Sequence, residues 1–134
     1  VTLTDLEAMA HFRLDNAYFI ESTGNQKIVD VITALANKYP VTNAIAASGE
    51  AFNDYSGGLL TAEMLTGDTD HYNYLIDYTW DGTNPNSVVV YGVNSWGPEW
   101  GDSGFYRLDV SALLAQQDMA VMDVVPASPA MVEE

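Results

Sequence analysis

Asn94-Ser95-Trp96-Gly97-Pro98-Glu99-Trp100-Gly101-Asp102-Ser103-Gly104-Phe105 is the least accidental stretch of this chain, and the segments on either side of it take their places from it. Just before it, Ser87 to Val93 is apolar enough to be a buried strand. A turn rich in Asp, Gly, Pro and Asn, Trp80 to Asn86, separates that strand from Tyr72 to Thr79, where aromatic and aliphatic residues dominate. The two segments are predicted to form a hairpin. Just after it, Gly104 to Asp109 alternates as a further strand, overlapping the end of the stretch. The last twenty residues are apolar but broken by Pro126 and Pro129, and the acidic Glu133-Glu134 end is expected to fray.

Upstream, Thr61 to Asp70 is polar and punctuated, which predicts a surface loop and puts His71 at a loop-to-strand junction. Thr23 followed by Gln26 has the form of a capping box, and Ile28, Ile32, Leu35 and Tyr39 continue at helical spacing until Pro40. That predicts the main helix over 24–39. His11 to Ile20 suits a strand, Val41 to Ala46 is a short β-branched and small-residue run, and Ser48 to Tyr55 predicts a shorter helix closed by Gly57-Gly58. Residues 1–10 carry no clear period.

At 134 residues and 48% hydrophobic, the chain can bury one core, so residues 1–134 are expected to form a single domain. Nineteen acidic residues oppose four Lys and Arg, a net charge of -15 that repels nucleic acid and offers it no basic patch. Such an excess suits an acidic compartment or simply a solvated surface. No run of 18 apolar residues predicts a membrane span, and a first residue of Val1 suggests numbering that begins inside a longer precursor. With no cysteine, these residues hold no disulfide, no thiolate metal site and no thiol nucleophile.

The quoted stretch resembles the N-S-W-G-x-x-W-G-x-x-G-[YF] signature of papain-like cysteine proteases at every fixed position. Asp70-His71 precedes Asn94 by the family's spacing, with His71 23 residues before it. Pro40-Val41 and Phe52-Asn53-Asp54-Tyr55-Ser56-Gly57-Gly58 resemble the family's upstream strand and loop, so the resemblance spans about residues 12–129. It implies an α+β fold, an antiparallel barrel-like sheet of about five or six strands with one main helix, the C-terminal lobe of the family's catalytic domain. It also implies roles: His71 as acid and base toward a cysteine thiolate, Asn94 orienting the imidazole, and Trp96 covering their hydrogen bond from water. Ala44, Thr69, Tyr72 and Met122 would border the pocket for a substrate side chain, where Tyr72 replaces a small residue and is expected to narrow the space.

The cysteine nucleophile and the glutamine of the oxyanion hole belong to the family's N-terminal lobe, which these residues lack. The resemblance thus implies an endopeptidase half that is inactive alone, with an N-terminal-lobe chain as partner and a peptide or protein as substrate. Family members nicked into two chains offer a precedent. The family implies a lysosomal, vacuolar or extracellular setting, and no cofactor. The rival is a non-catalytic relative serving as a binding or structural subunit, favoured by Tyr72, Asp77 and the acidity. Asp68, Asp70, Asp77 and Asp81 lack the regular ligand spacing of a calcium loop and are taken as a solvated face, so no metal is assigned. His11 is structural, and Ser48 and Ser95 have no base and orienter to make them nucleophiles.

Overall fold

The computed structural model describes residues 2–126. In chain order these form α1 (Leu3–Met9), β1 (Phe12–Phe19), α2 (Gly24–Ala36), β2 (Val41–Ile45), α3 (Glu50–Asn53), β3 (Leu59–Leu60), β4 (His71–Thr79), β5 (Val89–Val93), β6 (Phe105–Leu108), α4 (Val110–Ala115) and β7 (Gln117–Pro126). A 3-10 turn at Pro85–Ser87 leads into β5. Pro129 and Glu133-Glu134, read above as chain breakers and a frayed end, lie outside the described residues.

The α+β class holds, but the sheet is open where a barrel-like closure was expected. It has seven strands in the order β1-β7-β2-β4-β5-β6-β3. All pairings are antiparallel except β3 with β6, which run parallel. β1 and β3 stand at the two edges, and among the described residues no ladder joins them to close the sheet. The apolar tail that looked broken becomes β7 and inserts between β1 and β2, with Pro126 at its last position opposite Phe12. A proline there ends the strand without interrupting its ladder. The predicted hairpin is present as β4 and β5, from Tyr74 opposite Val93 to Thr79 opposite Val89.

The main helix packs through Ile28, Val31, Ala34 and Leu35, one stripe of the helical period, against β2 and β4, whose Val41, Ile45 and Leu75 belong to the same core. Each such large side chain contributes about 1.5–3 kcal/mol on burial. Two local expectations change. Thr23 takes the extended N-cap conformation but its side chain makes no cap hydrogen bond. Gln26 donates instead to Asp30 at 2.8 Å, whose other carboxylate oxygen accepts from Ser22 at 2.6 Å. The helix also stops at Ala36, not at Pro40. Lys38 enters the left-handed region at φ 67°, and the Lys38 and Tyr39 amides turn back to the Leu35 and Ala34 carbonyls. This paired return satisfies carbonyls that a helix end leaves free. Tyr39, placed by periodicity on the helix face, is therefore beyond the helix and exposed.

Candidate active site

The twelve-residue stretch folds as a loop that ties β5 to β6. Asn94 donates its amide to Gly104 O at 2.9 Å, and Gly104 donates to Trp100 O at 2.8 Å. Gly101 has φ 64°, and a Cβ there would stand 2.8 Å from Phe105 O, so both the turn and the close backbone approach require glycine. The loop is pinned from outside as well. The Trp100 indole N–H is shared between the carbonyls of Phe52 and Asn53, each at 3.1 Å, which anchors the loop on α3.

His71 opens β4 opposite Ile45 of β2. Asp70, just before it, accepts the Ala47 amide on Oδ1 at 2.8 Å and donates its own amide to Ile45 O at 3.2 Å. The residue that delivers His71 is thus tied to the end of β2 on both sides. The Ala47 hydrogen bond also holds the Asp70 carboxyl below its ordinary range.

Nε2 of His71 lies 2.8 Å from Oδ1 of Asn94. The Ser95 amide donates to that same oxygen at 2.8 Å, which identifies the atom as an acceptor. The ring nitrogen facing it must then carry hydrogen, and Nδ1 becomes the nitrogen left to exchange a proton. Trp96 stacks on the imidazole, with ring centroids 5.0 Å apart at 29°, while Phe52 meets it edge-on at 6.4 Å. Phe52 is fully buried and also touches Trp96, Trp100 and Tyr106. An aromatic wall therefore covers the hydrogen bond and limits how far the ring can turn. Asn94 is 7% exposed, and its Nδ2 has no partner among the described residues.

Beneath the site, Asn43 and Asn73 sit opposite each other on β2 and β4. The Tyr106 hydroxyl donates to Asn73 Oδ1 at 2.5 Å, and Asn43 donates to Tyr106 at 3.2 Å and to Gln116 at 2.9 Å. Burial pushes the Tyr106 phenol well above its usual range. The ring lies so close to Gly92 that a Cβ there would stand 2.1 Å from it, so a side chain on β5 would displace the network.

Tyr72 faces the other side of the sheet, where it is 62% exposed. There it borders a cavity of about 570 Å³ lined also by Ala17, Phe19, Tyr74, Asp118 and Met122. Its hydroxyl donates to Asp118 Oδ2 at 3.1 Å, and that carboxylate raises the phenol's pKa by accepting the hydrogen and by its charge. Of the four residues expected around a substrate pocket, Tyr72 and Met122 line this cavity. Ala44 lies opposite Tyr72 in register but is 1% exposed, beneath the surface. Thr69 lies outside the lining, with its hydroxyl donating to Gln117 at 3.4 Å.

Three contributors escaped the sequence reading. Phe52 was named only within a loop motif and a predicted short helix, Asp70 only beside His71 and in an acidic group taken as a solvated face, and Asp118 stood in a tail given no period. Gln117 to Val125 shows no alternation of polar and apolar residues, so the tail carried no period that would have singled out Asp118. Among the described residues, no group of three or more His, Asp or Glu side chains is placed to hold a metal ion. No helix there is long and apolar enough to cross a membrane.

The model of the papain family cysteine protease matches residues 9–124. Vignain of Ricinus communis is 35% identical over 102 residues, covering 71% of this chain and 27% of that protein. Vignain of Vigna mungo is 39% identical over 99 residues, with 70% and 26% covered. Human cathepsin L2 is 28% identical over 96 residues, with 70% and 28% covered. The chain thus spans about a quarter of the length of these relatives. The crystal structure of the Carica candamarcensis cysteine protease CMS1MS2 in complex with E-64 shares the fold, with a TM-score of 0.55 at 22% identity over 87% of this chain and 50% of that one.

Proposed function

Because this chain belongs to the papain family of cysteine proteases, we propose that it is the histidine- and asparagine-bearing half of a cysteine endopeptidase whose thiol comes from an N-terminal-lobe chain. The observation that carries the reading is the 2.8 Å contact between His71 Nε2 and Asn94 Oδ1 under the stacked Trp96. With Nε2 committed to Asn94, Nδ1 is the atom that takes the thiol proton. The resulting imidazolium stabilises the thiolate and later protonates the leaving amine of the scissile peptide. Asn94 keeps the ring in the required tautomer without placing a full negative charge beside it. Substrates are peptides or proteins, and the setting is lysosomal, vacuolar or extracellular, as the family resemblance implies.

The test is to isolate the protein with its mate and treat it with a thiol-directed covalent inhibitor. A cysteine of the mate should be labelled, and His71→Ala should slow both labelling and peptide cleavage by about 10²- to 10⁴-fold, the range of a general acid-base contribution. A mate with Ser or Gly in place of the cysteine, or cleavage unchanged in the variant, would sink the reading. One observation favours the rival, a non-catalytic binding subunit: Tyr72 stands over the cavity and is held there by Asp118.

A further inference from the structure

The cavity on the outer face of β1, β7, β2 and β4 has apolar walls and very little free polar chemistry. Ala17, Phe19, Ala120 and Met122 supply the walls. Two of its polar side chains are committed elsewhere, since Thr42 Oγ1 donates to Ala120 O at 3.3 Å and Asn73 is turned into the core toward Tyr106. What remains is the Asp118 carboxylate with the two phenol rings of Tyr72 and Tyr74. Oδ2 of Asp118 is engaged by Tyr72, while Oδ1 takes no hydrogen bond among the described residues.

We infer that this cavity receives a cationic side chain of a peptide, arginine or lysine, and that Asp118 is the residue that selects it. This rests on reading the cavity as the substrate pocket of the proposed peptidase. A long aliphatic stem lies favourably on Phe19 and Met122 while its charged head stays at the polar rim. There the head meets an acceptor and two aromatic faces, both of which attract a cation. A purely apolar side chain would crowd water away from the carboxylate without replacing its partner, and an anion would meet both Asp118 and a chain of net charge -15. Tyr72 need not leave. Its ring can lie against a guanidinium while its hydroxyl keeps Oδ2 and the cation takes Oδ1.

The test is binding to the 134-residue chain, followed by NMR of the Met122, Ala17 and Ala120 methyl groups. The probes are N-acetyl-arginine methylamide, its neutral isostere N-acetyl-citrulline methylamide, and N-acetyl-leucine methylamide. The arginine probe should bind about three- to fivefold more tightly than citrulline at low salt, the size of an exposed ion pair, and lose that margin as salt is added. Asp118→Asn should bring the two probes to equal affinity. Asparagine tolerates the φ of 48° found at this position, so the fold should stand. Equal affinity for arginine and citrulline in the unmodified chain, tightest binding of leucine, or no methyl response to any probe would overturn the inference. The measurement needs no thiol and no turnover. A protein that binds arginine selectively but never cleaves a peptide would therefore refute the proposed peptidase and leave the selectivity standing.

Discussion

His71 and Tyr72 are bonded neighbours, yet they belong to two unlike regions. His71 points to the side where Phe52, Trp96 and Trp100 pack, and its ring is held by a hydrogen bond and a stacked indole. Tyr72 points to the opposite side, where one hydrogen bond to Asp118 restrains a largely exposed ring. The period of two along a strand makes this division unavoidable. On the proposed function, adjacent residues of one strand then serve as a firmly held proton-transfer group and an adaptable recognition surface. Rigidity here is a matter of how many neighbours must move before the ring can.

The contrast can be broken first on the rigid side. Phe52→Ala removes a fully buried ring that touches His71, Trp96, Trp100 and Tyr106, and should cost about 3–5 kcal/mol of stability in urea unfolding. A loss below that found for an exposed aromatic would mean the wall is not packed. Next comes orientation. Asn94→Ala should leave the fold intact and, in the proposed peptidase with its mate, reduce kcat by about 10²-fold, the loss expected when a catalytic group loses its alignment. An unchanged kcat would show that the stacked Trp96 alone orients the ring.

A smaller effect tests the residue that joins the two regions. Asp70 has a folded pKa below its ordinary 3.8, set chiefly by the Ala47 amide, so the ionised carboxylate favours the folded state. That contribution is complete above the ordinary value and fades as pH falls through the lowered one. Thermal unfolding followed from about pH 5 to about pH 2 should therefore show a shallower decline for Asp70→Asn than for the unmodified chain, the curves converging in acid. Parallel curves would remove Asp70 from this role. The smallest effect belongs to the open side: Tyr72→Phe should change stability by less than about 0.5 kcal/mol, because only an exposed hydrogen bond is lost. A larger loss would mean that Tyr72 is part of the packed structure and not an adaptable wall.

Much of this was legible from residue order. Ile28 and Leu35 marked the buried face of α2, the Trp80 to Asn86 turn announced the β4-β5 hairpin, and the glycines of the loop stand at the turns that place Asn94. What stayed hidden depends on partners distant in sequence. β7 could be recognised as a strand only once β1 and β2 were there to flank it, and α1 was not predicted at all. Capping failed for a related reason: Gln26 has a better partner in Asp30 than in the Thr23 backbone.

The sequence by itself determined the family and singled out Asn94 and Trp96 as candidates, because a twelve-residue pattern of tryptophans, glycines and asparagine makes a specific loop from local backbone requirements, with His71 singled out by its spacing from that loop. Only the tertiary structure decided that Phe52 walls the imidazole, that Ala44 is covered, and that Asp118 reaches Tyr72 across the sheet. These contacts follow from strand order and register. Register is set by burying whole faces at once, and no single segment carries that information.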